Sequence, residues 1–254
     1  MRGAGELIIS QSRQFVFIHI HKTAGESIMA SLRADLGPNE LRHPQGKSRG
    51  IIIDADPQQG PQGPTPPIDV DRLRKHSTAL EVRDQLTAEA WDRYFTFSFV
   101  RHPIDRALSV YRYVANASRR PSRSVSRRVL HRLSPPARKD PSQWLGVKAY
   151  RETDCFSEFL RHPFFDKALG ARSQSASLCD ADGNVIVDFV GRFERLDEDF
   201  GYVQQRLELP VRPLPWKNRS QPSDTAPHFD ISVEDRAYLA TKYQDDFRRF
   251  GYEP

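Results

Sequence analysis

The sequence has no long apolar run. Nowhere in its 254 residues does a stretch approach the roughly 20 consecutive apolar residues that a transmembrane helix requires. The segment from Met1 to Gln14 has no apolar core of the kind that secretory signals carry. The mean hydropathy of −0.64 agrees with a water-soluble protein. We therefore expect no transmembrane segment and a cytoplasmic location.

Cysteine is also scarce. The two cysteines, Cys155 and Cys179, are too few for a disulfide framework, and a reducing compartment is the simpler interpretation. They do not lie at metal-ligand spacing, and the sequence contains no convincing cluster of His, Cys, Asp and Glu. We therefore predict that the protein binds no metal.

Acidic residues are outnumbered by basic ones, which gives the chain a net charge of +5 and favours anionic ligands. Much of the excess lies in a basic insert near 119–139, RRPSRSVSRRVLHRLSPPARK. A charge run usually means a solvated loop, and this interpretation is favoured over a surface that receives an acidic acceptor. Nucleic acid is not expected, because the insert has no interleaved aromatic residues on which bases could stack.

The length of 254 residues fits a single domain over 1–254, and hydrophobic periodicity predicts an α/β fold. We predict strands at 15–20, 94–100 and 185–190, and helices at 27–36, 78–91, 104–114, 155–160, 196–209 and from 232 onwards. Strands that alternate with helices are typical of a mostly parallel sheet covered on both faces. A Pro/Gly-rich stretch near 46–67 is predicted to be a loop.

The first candidate site, HKTAGES at 21–27, follows the first predicted strand and opens a helix. A helix start offers unpaired N–H groups and a positive dipole end, which suit a phosphate or sulfate. Gly25 is expected to let the main chain approach the ligand. Thr23 and Ser27 add hydroxyl donors, and Lys22 adds a mobile positive charge. The Gly-x-x-x-x-Gly-Lys-Ser/Thr pattern of nucleoside triphosphatases is absent.

The second candidate element is FVRHPIDRALS at 99–109. Arg101 ends a predicted strand, and Ser109 lies about two turns into the next helix. The planar fork of arginine matches phosphate oxygens, so this pair suits one further phosphate. Taken alone, Ser109 would be interpreted as an ordinary helix serine.

With both elements in view, the chain resembles the sulfotransferases that use PAPS (3′-phosphoadenosine-5′-phosphosulfate). The likeness is closer to the group of Golgi carbohydrate sulfotransferases and their soluble bacterial relatives. IHIHKTAGESI is similar to that family's 5′-phosphosulfate loop, and FSFVRHPIDRALSVY to its 3′-phosphate element. DFVGRFE at 188–194 and YQDDFRRFGY at 243–252 also resemble family segments. The resemblance therefore spans nearly the whole chain.

The resemblance implies a P-loop-like three-layer sandwich that moves the sulfuryl group of PAPS to a hydroxyl without a metal. The residues that it assigns to the donor are Lys22, Thr23, Ala24, Gly25, Ser27, Arg101 and Ser109, and Glu26 is counted with the same donor-binding turn. Asn218 and Arg219 are further candidates, on a late loop that could close over the nucleotide. Two residues depart from the family pattern: His21 replaces proline, and Glu26 replaces a neutral residue in the donor-binding turn. We expect Glu26 to point outward, where the helix dipole favours its charge.

The resemblance also implies the chemistry. Lys22 stabilises the charge on the leaving phosphate, and His76 is the base that removes the acceptor's proton. Gln174 is a separate candidate, which the sequence suggests for the acceptor cleft. The remaining candidates are expected to be structural, namely His19, His102 and a buried Arg192–Glu194 pair.

Two alternatives stay open from the sequence. A nucleotide-dependent kinase would share the architecture, but its lysine pattern and its aspartate for magnesium are missing. A non-catalytic module that binds the product PAP (adenosine 3′,5′-bisphosphate) or a sulfated glycan is the other. Glu26 keeps the non-catalytic module open, because a carboxylate facing the phosphosulfate would weaken donor binding. The presence of both Lys22 and His76 argues against this module. The acceptor is expected to be a glycan hydroxyl, and an acidic glycan would suit the basic insert; lipid, small-metabolite and peptide tyrosine hydroxyls stay open.

Overall fold

The computed structural model describes residues 7–11, 13–36, 51–54, 72–119, 144–167, 172–215 and 231–254. Most of the predicted loop near 46–67, the basic insert beyond Arg119, and both Asn218 and Arg219 lie outside these ranges. The chain divides into two compact units. Residues 1–102, 173–227 and 245–253 form the sheet unit, and residues 103–172, 228–244 and 254 form the helical unit. The single domain over 1–254 stays a prediction.

Five strands form one sheet within the described residues of the sheet unit, in the order β3-β1-β2-β4-β5. The strands are β1 Leu7–Ser10, β2 Phe15–Ile18, β3 Ile51–Asp54, β4 Phe95–Val100 and β5 Phe189–Arg192. Neighbouring strands are parallel except for β1 with β2. The prediction of an α/β fold with a mostly parallel sheet is confirmed.

Helices fill most of the remaining described chain. In chain order they are α1 Gly25–Leu36, α2 Ala79–Arg83, α3 Ala88–Arg93, α4 Pro103–Ser118, α5 Leu145–Arg151, α6 Phe156–Arg161, α7 Pro163–Lys167, α8 Ser175–Leu178, α9 Leu196–Arg206, α10 Val233–Lys242 and α11 Gln244–Phe250. None of them is both long enough and apolar enough to cross a bilayer.

Alternation along the strands builds two cores, one on each face of the sheet. On β2, Phe15 and Phe17 belong to a core shared with α1 and α9, whereas Val16 and Ile18 belong to a core shared with α2, α3 and α8. The aromatic residues of β4, such as Phe97, join the first core. Both faces are therefore covered, which gives the three layers expected of this fold class.

The helical unit has its own aromatic core. The Tyr111 ring on α4 lies 5.2 Å from the ring of Tyr150, 5.3 Å from that of Phe156 and 5.1 Å from that of Phe159, measured between centroids. These contacts join α4 to α5 and α6, and aromatic pairs at this separation stabilise a fold beyond their buried area.

Some sequence-based boundaries are wrong. The loop predicted near 46–67 contains β3, and β1 was not predicted, because a four-residue strand has too few residues to show a period. The helix predicted over 78–91 is two helices, because Thr87 accepts a hydrogen bond from the Ala90 N–H and starts a new one. The strand predicted from Val185 begins at Phe189, and Val185 forms only an isolated bridge with Cys179.

The contact between β4 and β5 predicts a mutational effect. Gly191 lies opposite Phe99, and a Cβ added to it would fall 2.4 Å from the Phe99 ring. We expect Gly191→Ala to lower the free energy of unfolding by about 1–3 kcal/mol, as overpacking does. Urea unfolding followed by circular dichroism measures it.

Gly201→Ala is the matched control, because a Cβ there would meet its nearest atom, Val211 Cγ1, at an ordinary 3.8 Å. Alanine favours a helix interior over glycine by about 0.5–1 kcal/mol, so this variant should be unchanged or more stable. Equal effects of the two substitutions would contradict the packing argument.

Candidate active site

The pairing of β2 with β4 brings the two predicted anion-binding elements to one edge of the sheet. The strands are parallel, Ile18 lies opposite Ser98, and the Ser98 hydroxyl donates to the Ile18 carbonyl over 2.8 Å. Lys22 follows the end of β2, and Arg101 follows the end of β4. Because parallel strands end at the same edge, the two cations lie close enough for Arg101 to lower the pKa of Lys22.

Lys22 is held in a crowded, positively charged setting. Its pKa is lowered to about 8, first by burial and further by the charges of Arg101 and Lys75, while the negative charge of Glu26 opposes this shift. Lys75 was not singled out in the sequence, although it immediately precedes His76. Three cations around one strand edge favour a bound anion, which would offset their mutual repulsion.

The turn that carries Lys22 has an unusual backbone. Lys22 has φ 68° and Ala24 has φ 66°, both in the left-handed region that non-glycine residues rarely adopt. Turns of this kind can align successive N–H groups into a concave site for anions. The Ser27 N–H then donates to the Ala24 carbonyl over 2.8 Å and begins α1. The strand, turn and helix predicted from the sequence are therefore present.

Side chains in this turn do not all have the environment predicted for them. Thr23 is buried, and its hydroxyl donates to the Ile20 carbonyl over 3.0 Å. The hydroxyl that was predicted to donate to the ligand thus donates to the main chain and stabilises the turn. Ser27 is also buried. Glu26 is exposed in the first turn of α1, as expected, and acts on Lys22 through its charge.

Gly25 is required by a protein contact. A Cβ added to Gly25 would fall 2.1 Å from Nε2 of His19, so the imidazole ring occupies the space that any larger residue would need. His19 is buried at the end of β2. Gly25 therefore makes room for the His19 ring, and its close approach to a ligand stays a prediction.

His76 lies beside two other histidines. Its ring centroid is 4.7 Å from that of His19 and 3.3 Å from that of His21. Only His76 was predicted as a reactive group. A signal for the other two was available in the sequence, because residues 19 and 21 are two apart at a strand end and so point to the same side.

The hydrogen bond of His76 defines its tautomer. Nδ1 of His76 lies 2.9 Å from the His19 carbonyl oxygen, and since a carbonyl only accepts, Nδ1 carries the proton. Nε2 therefore keeps its lone pair. Burial lowers the pKa of His76 to about 4, against the raising effect of this bond and with help from Lys75. At neutral pH the ring is an uncharged proton acceptor.

The neighbouring histidines are neutral as well. The pKa of His19 and that of His21 both lie well below the usual value, through burial first and the proximity of His76 second. Nδ1 of His19 and Nε2 of His21 are buried with no hydrogen-bond partner among the described residues. Positive charge at this edge thus belongs to lysine and arginine, while the histidines stay uncharged.

Gln174 is wrongly assigned to acceptor contact. Its side chain is completely buried, Oε1 accepts from the Arg101 N–H and Nε2 donates to the Arg101 carbonyl, both over 2.8 Å. Both ends of the amide are thus used by the main chain of Arg101. The Arg101 guanidinium lies over the Phe193 ring, 4.1 Å from its centroid, which is a cation–π contact.

His102 and Glu194 are linked to each other. The His102 N–H donates to Glu194 over 2.8 Å, and its Nε2 lies 2.9 Å from the Glu253 carbonyl oxygen. The Tyr252 hydroxyl also donates to Glu194, over 2.9 Å. Burial, followed by the charge of Glu194, raises the pKa of Tyr252. The structural role expected for His102 agrees with these contacts.

The predicted Arg192–Glu194 pair is wrong. Glu194 is exposed and accepts the two hydrogen bonds from His102 and Tyr252, whereas the Arg192 guanidinium donates to the carbonyl of Phe250. Residues two apart on an extended strand point alike, but a 3-10 turn at Phe193–Arg195 intervenes and turns Glu194 away.

Ser109 belongs to the helical unit, on α4, where it is partly buried. Its contact with a phosphate stays a prediction, and so do those of Asn218 and Arg219, which lie outside the described residues. In the ranges that the structure describes, no group of three or more His, Cys, Asp and Glu side chains could hold a metal ion.

The fit between Gly25 and His19 predicts a coupled mutational effect. We expect Gly25→Ala to destabilise the protein by about 1–3 kcal/mol, because the new methyl group displaces the imidazole. His19→Ala makes room for that methyl group. The double variant should therefore be less destabilised than the sum of the two single variants, as measured by urea unfolding. Additive effects would contradict the proposed contact.

The comparison with known protein families agrees with this geometry. The family model described as the sulfotransferase family matches residues 5–253, which is nearly the whole chain and includes every described element of the site. No curated protein matched the sequence. A family match of this extent favours sulfuryl transfer over the phosphoryl transfer of a kinase. The chain therefore belongs to the sulfotransferase family, and it is an enzyme that moves a sulfuryl group from a sulfate donor to a hydroxyl-bearing acceptor.

Proposed function

We propose that the sulfate donor is PAPS, that Lys22 stabilises the leaving phosphate and that His76 Nε2 accepts the proton of a carbohydrate hydroxyl. One observation carries this proposal. Lys22 and Arg101 follow two neighbouring parallel strands at one edge of the sheet, and the neutral ring of His76, bonded to the His19 carbonyl, lies at the same edge. An anion-binding pair of cations and an uncharged base are the two components that such a transfer needs.

The residues present suit the donor's charge distribution. PAPS carries a 5′-phosphosulfate and a separate 3′-phosphate. The left-handed turn with Lys22 and Lys75 suits the former, and Arg101, held over Phe193, suits the latter. Burial first, and then repulsion from Arg101 and Lys75, lowers the pKa of Lys22 in the free protein. An anionic donor would be held by cations that otherwise repel one another.

In the proposed reaction, the acceptor oxygen attacks sulfur in line with the bridging oxygen of the donor. As the new S–O bond forms, the old one breaks, and its electron pair stays on the 5′-phosphate of PAP. Lys22, still protonated, is the cation that meets this charge. The hydroxyl proton passes to Nε2 of His76, whose Nδ1–H bond to the His19 carbonyl holds the ring in the accepting tautomer.

A carbohydrate is the acceptor that we propose, because the chain resembles carbohydrate sulfotransferases and carries a net charge of +5. Excess positive charge favours acidic glycans over neutral ones through long-range attraction. The basic insert near 119–139 is the stretch of sequence best suited to such an acceptor.

Transfer of radiolabelled sulfate from PAPS to a panel of neutral and acidic glycans tests this function. We expect labelled glycan with the unmodified protein and nearly none with Lys22→Ala. His76→Ala should reduce turnover about 10²-fold or more, as loss of a general base does. Mass spectrometry locates the sulfated hydroxyl.

Two control variants accompany this test. Lys148→Ala on α5 removes a lysine of the helical unit, and His162→Ala removes a histidine that pairs with Glu152 there. Both should keep near-normal turnover. Near-normal turnover in His76→Ala would show that another group is the base. Transfer of the label to a non-carbohydrate hydroxyl, with none to any glycan of the panel, would contradict the acceptor class.

The pKa values predict how the reaction depends on pH. Because Lys22 must be protonated and its pKa in the free protein is about 8, kcat/KM should fall as the pH rises through 8. Because the pKa of His76 is about 4, kcat/KM should not fall as the pH is lowered through 6.5, where an ordinary histidine becomes charged.

Lys22→Arg separates these effects, since arginine stays protonated throughout the range. Whatever activity this variant retains should lack the decline near pH 8 and keep the unchanged acid side. An unaltered alkaline decline in Lys22→Arg would mean that a different group titrates.

A further inference from the structure

The main chain of Arg101 is held by a buried amide from a distant part of the sequence. Gln174 lies 73 residues further along the chain, and its Oε1 and Nε2 make two hydrogen bonds of 2.8 Å with the N–H and carbonyl of Arg101. A side-chain amide carries an acceptor oxygen and a donor nitrogen side by side, so it can pair with the N–H and carbonyl of one residue as a neighbouring strand would.

Gln174 is itself held by a buried carboxylate. Asp246 on α11 is fully buried, and its two oxygens accept from the main-chain N–H groups of Gln174 and Ser175, each over 2.8 Å. The Ser175 hydroxyl also donates to Asp246, over 2.7 Å. Three donors on one carboxylate offset the large cost of burying its charge. Such a site is rigid, because moving any partner leaves a buried charge less satisfied.

Asp246, Gln174 and Arg101 therefore form a connected chain that runs from α11 to the end of β4. The guanidinium of Arg101 is fixed separately, by the Phe193 ring at 4.1 Å. Main chain and side chain of one arginine are thus positioned by different segments before any ligand arrives. Positioning of this kind raises affinity by removing the entropy cost of ordering the side chain on binding.

We propose that Gln174 and Asp246 are positioning residues that set the enzyme's discrimination for a 3′-phosphate on the donor nucleotide. The inference rests on the proposed function, in which Arg101 binds that phosphate. Neither residue touches the nucleotide; they act through the main chain of Arg101. Their loss should weaken binding of nucleotides that carry a 3′-phosphate and leave binding of those without one nearly unchanged.

The test compares two nucleotides on the full-length protein by isothermal titration calorimetry: PAP, which has the 3′-phosphate, and AMP, which lacks it. The ratio of their dissociation constants measures the contribution of that phosphate alone. We expect Gln174→Met, which keeps the length of the side chain and removes both hydrogen bonds, to reduce this preference for PAP about tenfold. Binding of AMP should change by no more than about twofold.

Gln204→Met is the matched control, because Gln204 is also fully buried in the sheet unit but accepts its bond from the Arg212 N–H. It should leave the preference for PAP unchanged even if it lowers stability. Asp246→Asn provides a second route to the same result should Gln174→Met not fold, since its amide would direct a donor at an N–H group. It too should reduce the preference for PAP.

The outcomes separate the two proposals. A wild-type protein that binds PAP no better than AMP would overturn both the donor assignment and the positioning role. A wild-type preference that survives in Gln174→Met and Asp246→Asn would overturn the positioning role alone. Equal weakening of PAP and AMP would also overturn it, because the residues would then support the fold without acting on the 3′-phosphate.

Discussion

The parallel pairing of β2 with β4 is the constraint on which the site depends. It carries the chain to the same sheet edge twice, so residues about 80 apart in sequence, Lys22 and Arg101, become neighbours. The Ser98 hydroxyl, bonded to the Ile18 carbonyl, adds a side-chain link between the two strands close to this edge. A shift of one residue in this register would turn the core-facing aromatic residues of β4 to the opposite face. The packing of the core thus fixes the spacing of the cations.

This arrangement is unfavourable for the protein by itself. Two non-glycine residues, Lys22 and Ala24, adopt left-handed backbone angles. Burial, together with the nearby charges of Arg101 and Lys75, lowers the pKa of Lys22 to about 8. Strain and like-charge repulsion of this kind persist where the surrounding structure enforces them, and they concentrate at functional sites. An anionic sulfate donor would relieve the repulsion. The repulsion that destabilises the free protein would then be relieved on binding, and this relief would add to the affinity for the donor.

Local patterns in the sequence predict local features of the site well. The strand–turn–helix around Lys22 was predicted because its apolar period, glycine and polar turn lie within about twenty consecutive residues. Gln174 was misassigned for the opposite reason: its partners are 72 and 73 residues away, and no local pattern reports them. Glu194 was misassigned because a 3-10 turn rotated it away from Arg192. Residues that act through distant main-chain groups have no spacing by which to be recognised.

The histidines show how one edge can hold both cations and a base. A protonated imidazole there would add to the repulsion already present, and burial keeps all three rings neutral instead. Neutrality gives His76 its free Nε2 lone pair, but a pKa of about 4 makes it a weak base in the free protein. Negative charge brought by a bound donor would stabilise the imidazolium and raise that pKa. In the proposed reaction the base therefore gains strength only when the donor is in place, so that an acceptor hydroxyl is deprotonated where a sulfuryl group is ready to receive it.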